Sequence, residues 1–180
     1  MAARERVEAG SRSSVRVETN GRGEANVATG VPVLDHLIGL LAGYADFDIT
    51  LEVEPGAALD EVAAAGRALG QGLAEPLSAP NARRHGATVV PVDEALAHVA
   101  LEASGRPLVV SNVDLSAARV GGLESDLVAR FLEELAEGAG LTLHVRLVHG
   151  EQTQHVLEAI FKALGTALGD AAQPRRGRNE

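Results

Sequence analysis

Hydrophobic positions along the chain follow helical spacing in one block, alternate in the next, and then return to helical spacing. Residues 35–53 show the first two patterns, and residues 59–77 form the long helical run that follows them. The same order recurs in residues 129–147 and 154–168, at an offset of about 94 or 95 residues. We therefore predict a duplicated chain, in which each half ends in a helix, a strand and a longer helix.

Short alternating strands are predicted before the repeated block in each half. In the first half, the Asn20-Gly21 dipeptide between two such strands is typical of a tight hairpin turn. The predicted strands cover residues 14–18, 23–28, 87–91, 96–104 and 108–114. Helices gathered on one face of a mostly antiparallel sheet give an α+β layer fold.

The predicted halves divide the chain at a short polar segment. We place the first α+β half-repeat at residues 1–80 and the second at residues 81–172, with the link near residues 76–84, where Pro, Ser and Asn cluster. The polar tail, residues 173–180, is predicted to be frayed.

Composition narrows the classes of function. The net charge of -9 and the 2% content of aromatic residues argue against a nucleic-acid partner. The chain has no cysteine, so any metal ion must be held by His and carboxylate side chains. Residues 1–20 do not resemble a signal peptide, and no apolar run is long enough for a membrane span. A cytoplasmic protein without a membrane partner is expected.

Few residues indicate chemistry by their spacing alone. His155 and Glu158 lie three residues apart at a predicted helix start, so both face the same side and can share a metal ion. From the spacing alone, an ordinary solvated helix start with an acidic first turn is the favoured explanation. His36 follows Asp35, a carboxylate that either orients the imidazole or caps the helix. Without further information, these residues do not define a reaction.

Longer motifs, in contrast, resemble the imidazoleglycerol-phosphate dehydratase family. They are GVPVLDH at residues 30–36, RRHGATVVPVDEALA at 83–97, LEASGRP at 101–107, LHVRLVHG at 143–150 and HVLEAIFKAL at 155–164. The similarity extends over about residues 15–171 in colinear order. The resemblance implies two repeated α+β halves of the ribosomal-protein-S5 domain 2-like type, in agreement with the duplication.

The resemblance also implies an activity and an assembly. The family's enzyme dehydrates imidazole glycerol phosphate in histidine biosynthesis, with two manganese ions in sites built between subunits. Its subunits form trimers that assemble into a hollow 24-subunit particle. By this resemblance the partner of the chain is the chain itself, and the reaction class is that of a carbon–oxygen lyase.

Several positions that hold manganese in the family are changed in this chain. The resemblance implies that His36, His155 and Glu158 are kept as remnants of the catalytic metal site. The replaced metal-ligand positions are Leu59, Asp60, Ala63, Arg130 and Gln154. A gap before Leu59 leaves the register open there, and Asp60 is the alternative source of a carboxylate. The phosphate-binding positions implied by the family are kept as Arg84, Arg106 and Lys162.

Three functions follow as alternatives. The first is a catalytically impaired or repurposed paralogue, a pseudoenzyme that keeps the oligomeric shell, needs no cofactor and has the option of co-assembling with an intact paralogue. The second is an enzyme acting on another small phosphorylated substrate by acid–base chemistry. The third is a working dehydratase, which requires manganese. Under the first alternative we expect Arg130 to pair with Glu158 or Asp60 in place of a metal ion.

Overall fold

The computed structural model describes residues 12–114, 119–120 and 123–177. Its helices are α1 (Pro32–Ala45), α2 (Ala58–Ser78), α3 (Ser125–Ala139) and α4 (Thr153–Ala172). Its strands are β1 (Ser13–Glu18), β2 (Ala25–Ala28), β3 (Asp48–Val53), β4 (His85–Val92), β5 (Ala95–Glu102), β6 (Leu108–Ser111), β7 (Arg119–Val120), β8 (Leu123–Glu124) and β9 (Thr142–His149). The predicted order of helix, strand and longer helix is confirmed in both halves.

The strands form two principal sheets that repeat one arrangement. The first has the order β1-β3-β2 and the second β4-β5-β9-β6, while β7 and β8 form a short antiparallel pair. In each principal sheet the strand between the two helices of its half, β3 or β9, has one antiparallel and one parallel neighbour. The prediction of a mostly antiparallel α+β fold is therefore confirmed.

The predicted hairpin at Asn20-Gly21 is wrong, because β3 lies between β1 and β2. The Asp48 side chain holds the connection in place by accepting hydrogen bonds from the backbone amides of Arg22 (2.8 Å) and Glu24 (3.0 Å). These bonds tie the loop to the start of β3, and β2 then pairs parallel to β3. A long-range contact thus overrides the local turn signal.

Alternation along the strands places the hydrophobic core on the helix side of each sheet. In β5, the side chains of Ala95, Ala97, Val99 and Leu101 are buried, whereas the residues between them are more exposed. Strand residues alternate between the two faces of a sheet, so this pattern puts a single apolar face against α4. Helices consequently cover one face of the sheet.

The four helices pack in two parallel pairs, α1 with α4 and α2 with α3. Each pair is in close contact at a glycine. A Cβ atom at Gly165 of α4 would lie 2.3 Å from the Leu41 carbonyl oxygen, and one at Gly70 of α2 would lie 2.5 Å from that of Leu135. Leu41 and Leu135 are repeat partners, as are Gly70 and Gly165. Each pair thus combines a helix from one half with a helix from the other.

Two details of the predicted boundaries are corrected. Helix α2 continues through Pro76 to Ser78, so the link between the halves begins at residue 79 rather than 76. The buried Leu77 anchors this last turn against the core. The described part of the tail is not frayed, because the Arg83 amide donates to the Gln173 carbonyl oxygen and the Arg175 amide to that of Asn81, both at 2.8 Å. No described helix combines the length and apolarity that crossing a membrane requires.

Candidate functional site at the helix ends

The residues singled out from the sequence fall on the two helix pairs. His36, near the start of α1, and Glu158, in the second turn of α4, meet at the α1–α4 pair. Their repeat equivalents, Arg130 of α3 and Ala63 of α2, fall on the α2–α3 pair. The internal register agrees with the helix starts, since α2 begins at Ala58 and α4 begins 95 residues later at Thr153.

At the α1–α4 pair, His36 and Glu158 are in direct contact. The Nε2 atom of His36 lies 3.5 Å from Oε1 of Glu158, and the side-chain amide (Nε2) of Gln154 donates to the same oxygen at 3.1 Å. The His36 side chain is 57% exposed and that of Glu158 only 17%, so the imidazole forms the outer wall of the site. Gln154 thus uses its side chain to orient the carboxylate.

His155 is held by a carboxylate that sequence reasoning did not identify. Its Nδ1 lies 2.7 Å from Oε2 of Glu94, in the turn between β4 and β5, and its Nε2 lies 3.4 Å from Oδ2 of Asp93. The other Glu94 oxygen accepts the backbone amides of Gln152 (2.8 Å) and Glu151 (3.3 Å). Glu94 therefore has two roles: one oxygen caps the start of α4, and the other fixes the His155 ring.

These contacts shift the pKa values of both groups. The backbone amide of Gln152, followed by the hydrogen bond from His155, lowers the pKa of Glu94 from 4.5 to about 2. The hydrogen bond to Glu94 raises the pKa of His155 above 6.5, and burial opposes this rise. The pair therefore favours an imidazolium next to a carboxylate.

Asp35 does not orient His36, although it was a candidate for that role. Its Oδ1 accepts the backbone amide of Thr29 at 2.9 Å and also the Thr29 hydroxyl group. The same hydroxyl accepts the backbone amide of Val31 at 3.2 Å. The buried Thr29 thus links Asp35 to the chain that enters α1 and fixes where this helix starts.

The α2–α3 pair carries an ion-pair cluster of Arg67, Glu134 and Arg130. Arg67 contacts Oε2 of Glu134 through Nε at 2.8 Å and Nη2 at 2.6 Å. Arg130 contacts Oε1 through Nη2 at 2.7 Å. The expected pairing of Arg130 with Glu158 or Asp60 is therefore wrong, because Glu134 lies one helical turn after Arg130 on the same helix. Both oxygens of this buried carboxylate are engaged.

The replaced metal-ligand positions of α2 lie in its first two turns. Leu59 and Asp60 are exposed, and Ala63 is half-buried. The neighbouring Glu61 is buried and accepts the backbone amide of Gly56 at 2.9 Å, so it holds the loop before the helix. Asp60 makes no hydrogen bond or ion pair with the residues that the structure describes, and among these residues no group of His, Asp or Glu side chains converges with it as metal ligands.

The predicted phosphate-binding residues lie in two places, with Arg84 and Arg106 in one and Lys162 in the other. Arg84 directly precedes β4 and Arg106 lies shortly after β5. Because the two strands are antiparallel, both arginines are at the same end of the β4–β5 pair. His155 is at the opposite end, about 25 Å away along eight-residue strands. Lys162 lies one turn after Glu158 on α4, with Nζ 5.5 Å from the centre of the Tyr44 ring.

The two arginines also differ in their local contacts. The Arg84 guanidinium group donates to the Ser78 carbonyl oxygen at 2.8 Å and so caps the C-terminal end of α2. Its buried Nε has no hydrogen-bond partner in the described part of the chain. Arg106 is exposed in the turn after β5. Their role as phosphate ligands remains a prediction.

The described residues do not fit a two-metal centre within one chain. No three His, Asp or Glu side chains in residues 12–114, 119–120 and 123–177 converge as metal ligands. At the α1–α4 pair, one imidazole nitrogen of His155 is engaged by Glu94. At the α2–α3 pair, two guanidinium groups surround the only buried carboxylate of the cluster. The α2–α3 position therefore departs from a metal site, whereas a carboxylate on one ring nitrogen, as at His155, is also usual for histidines that bind a metal ion through the other nitrogen.

The fold and these helix ends define a duplicated α+β protein whose candidate residues occupy two repeat-related helix pairs. The chain belongs to the imidazoleglycerol-phosphate dehydratase family, whose model matches residues 29–168. The family and the fold expected from the sequence motifs are thus confirmed.

Individual relatives match nearly the whole chain. Imidazoleglycerol-phosphate dehydratase from Syntrophobacter fumaroxidans is 40% identical over 173 residues, which cover 94% of this chain and 88% of that protein. The protein of the same name from Acetivibrio thermocellus is 38% identical over 164 residues, covering 89% and 84%. The crystal structure of the Staphylococcus aureus enzyme has a TM-score of 0.86 and 30% identity, covering 95% of this chain and 98% of that one.

Proposed function

We propose that this chain is a member of the family that has lost the manganese-dependent dehydration of imidazole glycerol phosphate and keeps the family's oligomeric framework. The observation that carries the proposal is the Arg67–Glu134–Arg130 cluster. It includes Arg130, the repeat equivalent of His36, and extends one helical turn further along the helix pair to Glu134 and Arg67.

Electrostatics supports the loss of a metal ion at this end. A divalent cation close to Arg67 and Arg130 would meet two fixed positive charges, and the nearest buried carboxylate is already neutralised by them. Ala63 offers no oxygen where its repeat partner Glu158 offers a carboxylate. Among the described residues of the α2–α3 end, Asp60 keeps a carboxylate, but Ala63 and Arg130 stand at ligand positions without offering a metal ligand.

The framework, in contrast, is intact. The buried residues of both halves form one core that links the two helix pairs, and the Phe131 and Phe161 rings lie 5.5 Å apart within it. The similarity of the whole fold to the Staphylococcus aureus enzyme, with a TM-score of 0.86, supports the same mode of association. We therefore propose trimers and a 24-subunit particle in the cytoplasm, with co-assembly with an intact paralogue as an option.

A second candidate function is an enzyme that works by acid–base chemistry without a metal ion. The observation that favours it is the His155–Glu94 pair, because an oriented imidazole with a raised pKa can donate a proton at neutral pH. Glu158 and His36 lie beside it on the same helix pair. Arg84 and Arg106 would have to come from another subunit to bind a phosphate group near His155.

Turnover of imidazole glycerol phosphate tests the proposal. The purified protein is assayed with Mn²⁺ and with EDTA, with the Staphylococcus aureus enzyme as the positive control, and light scattering records the particle mass. We expect a large homo-oligomer with no turnover above the buffer. Mn²⁺-dependent turnover would refute the proposal, whereas metal-independent turnover abolished by His155→Ala would establish the second candidate.

A further inference from the structure

The α2–α3 helix pair contains a buried carboxylate, that of Glu134. Its side chain is 7% exposed and lies on α3, facing α2. A carboxylate in this position loses most of its hydration and must be compensated by partners. The partners present are the two guanidinium groups of Arg67 and Arg130.

We propose that the Arg67–Glu134 ion pair, braced by Arg130, is a metal-independent cross-link that holds α2 to α3. Arg67 comes from α2 and reaches Oε2 through both Nε and Nη2, so it joins the two helices. Arg130 belongs to the same helix as Glu134 and fixes the carboxylate from the other side through Oε1. The two arginines therefore have different roles, one as the link and one as the support.

The repeat-equivalent positions show that this link belongs to one helix pair only. The equivalents of Glu134 and Arg67 in the α1–α4 pair are Leu40 and Lys162. Leu40 has no charge, and Lys162 lies over the Tyr44 ring instead of pairing with a carboxylate across the helices. At these equivalent positions, the duplication thus has an ion pair in one helix pair and a cation–π contact in the other, although the glycine contacts are shared.

A glycine on α2 allows the two helices to approach closely at the ion pair. A Cβ atom at Gly66, one residue before Arg67, would lie 2.6 Å from the Phe131 carbonyl oxygen and 3.1 Å from Cβ of Glu134. The helices therefore approach closely where the carboxylate sits. Because the helices are so close, both Nε and Nη2 of Arg67 reach Oε2 of Glu134 without a bridging ion.

This inference goes beyond the proposed loss of catalysis, because the cross-link can exist whether or not the other helix pair binds a cation. It predicts energetic coupling between Arg67 and Glu134 that is the same in EDTA and in Mn²⁺. Thermal unfolding of the whole protein is the readout, and it does not depend on enzyme activity.

The test is a double-mutant cycle with Arg67→Gln and Glu134→Gln, with Glu137→Gln, an exposed glutamate on the same helix, as the control. We expect Glu134→Gln to lower Tm by roughly 5 °C and Arg67→Gln by roughly 2 °C, with the control unchanged. Because Arg67 is half-exposed, Arg67→Gln keeps the fold even if Glu134→Gln does not.

In the Glu134→Gln background, Arg67→Gln should have little further effect. If Arg67→Gln lowers Tm equally in both backgrounds, or if the coupling is seen only with Mn²⁺, the inference is overturned. Should Glu134→Gln not fold, a drop in Tm with Arg67→Gln in EDTA supports the link and an unchanged Tm refutes it. An equal rise in Tm with Mn²⁺ in the wild type and in Arg67→Gln would count against the proposed function and leave the cross-link standing.

Discussion

The carbonyl oxygen of Leu41 lies so close to Gly165 that a Cβ atom at this glycine would be 2.3 Å away. The contact joins a helix of the first half to a helix of the second. Its repeat equivalent joins Leu135 to Gly70 at 2.5 Å. Backbone contact at two related points therefore fixes how the halves combine.

The first prediction concerns this contact. Gly165→Ala should lower the free energy of unfolding by about 2–3 kcal/mol, because the added methyl group meets backbone that cannot move without separating α1 from α4. Urea unfolding measures the loss. Gly39→Ala is the matched control, since a Cβ atom there has no neighbour within 4 Å, and we expect a gain of up to about 1 kcal/mol in helix stability. Equal effects of the two variants would contradict the packing.

A second prediction concerns pH and the Glu94–His155 pair. The pKa of Glu94 is lowered to about 2, so its stabilising contribution is complete above 4.5 and is lost as the pH falls towards 2. The pKa of His155 is raised, so its contribution is complete below 6.5 and is lost as the pH rises through the raised value. The pair should stabilise the fold most between pH 4.5 and 6.5.

Melting curves of the wild type and Glu94→Gln across this range check the prediction. We expect the variant to have a lower Tm between pH 4.5 and 6.5, and the difference to shrink at both extremes. Glu151→Gln, at an exposed neighbour, is the control and should follow the wild type. A difference in Tm that is independent of pH would mean that the charge of Glu94 does not matter.

The third prediction concerns the entry to α1. Thr29→Val keeps the shape of the buried side chain but removes the hydroxyl group that contacts Asp35 and the Val31 amide. We expect a loss of about 1–3 kcal/mol in urea unfolding, because these buried groups lose a partner. Thr29→Ser keeps the hydroxyl group and loses only a methyl group, at a cost of about 1 kcal/mol. A larger loss in the serine variant would show that packing, not hydrogen bonding, matters here.

Much of the fold could be predicted from the sequence, because its repeated helical spacing is strong. Helix α2 was predicted at residues 59–77 and is Ala58–Ser78, since its buried face includes Val62, Leu69 and Leu73. The pairing of β3 between β1 and β2 could not be predicted, because the deciding contact is made by Asp48, far along the chain from the turn.

The candidate site was only partly predictable for a similar reason. Spacing on one helix placed His155 near Glu158, and the resemblance supplied His36. Glu94 was missed, although it lies in a recognised motif, because its contact with α4 depends on the β4–β5 turn reaching the helix start. Glu134 was missed as the partner of Arg130, although their separation of four residues was a usable signal.

The central claim, that the metal-binding capacity of the family is lost in this chain, is tested most directly by its manganese content. The purified protein is loaded with Mn²⁺, freed of unbound metal by gel filtration, and analysed for manganese per chain on the intact particle. The account predicts far less than one manganese ion per chain on a particle that remains assembled. A content close to two per chain would contradict it and restore the dehydratase.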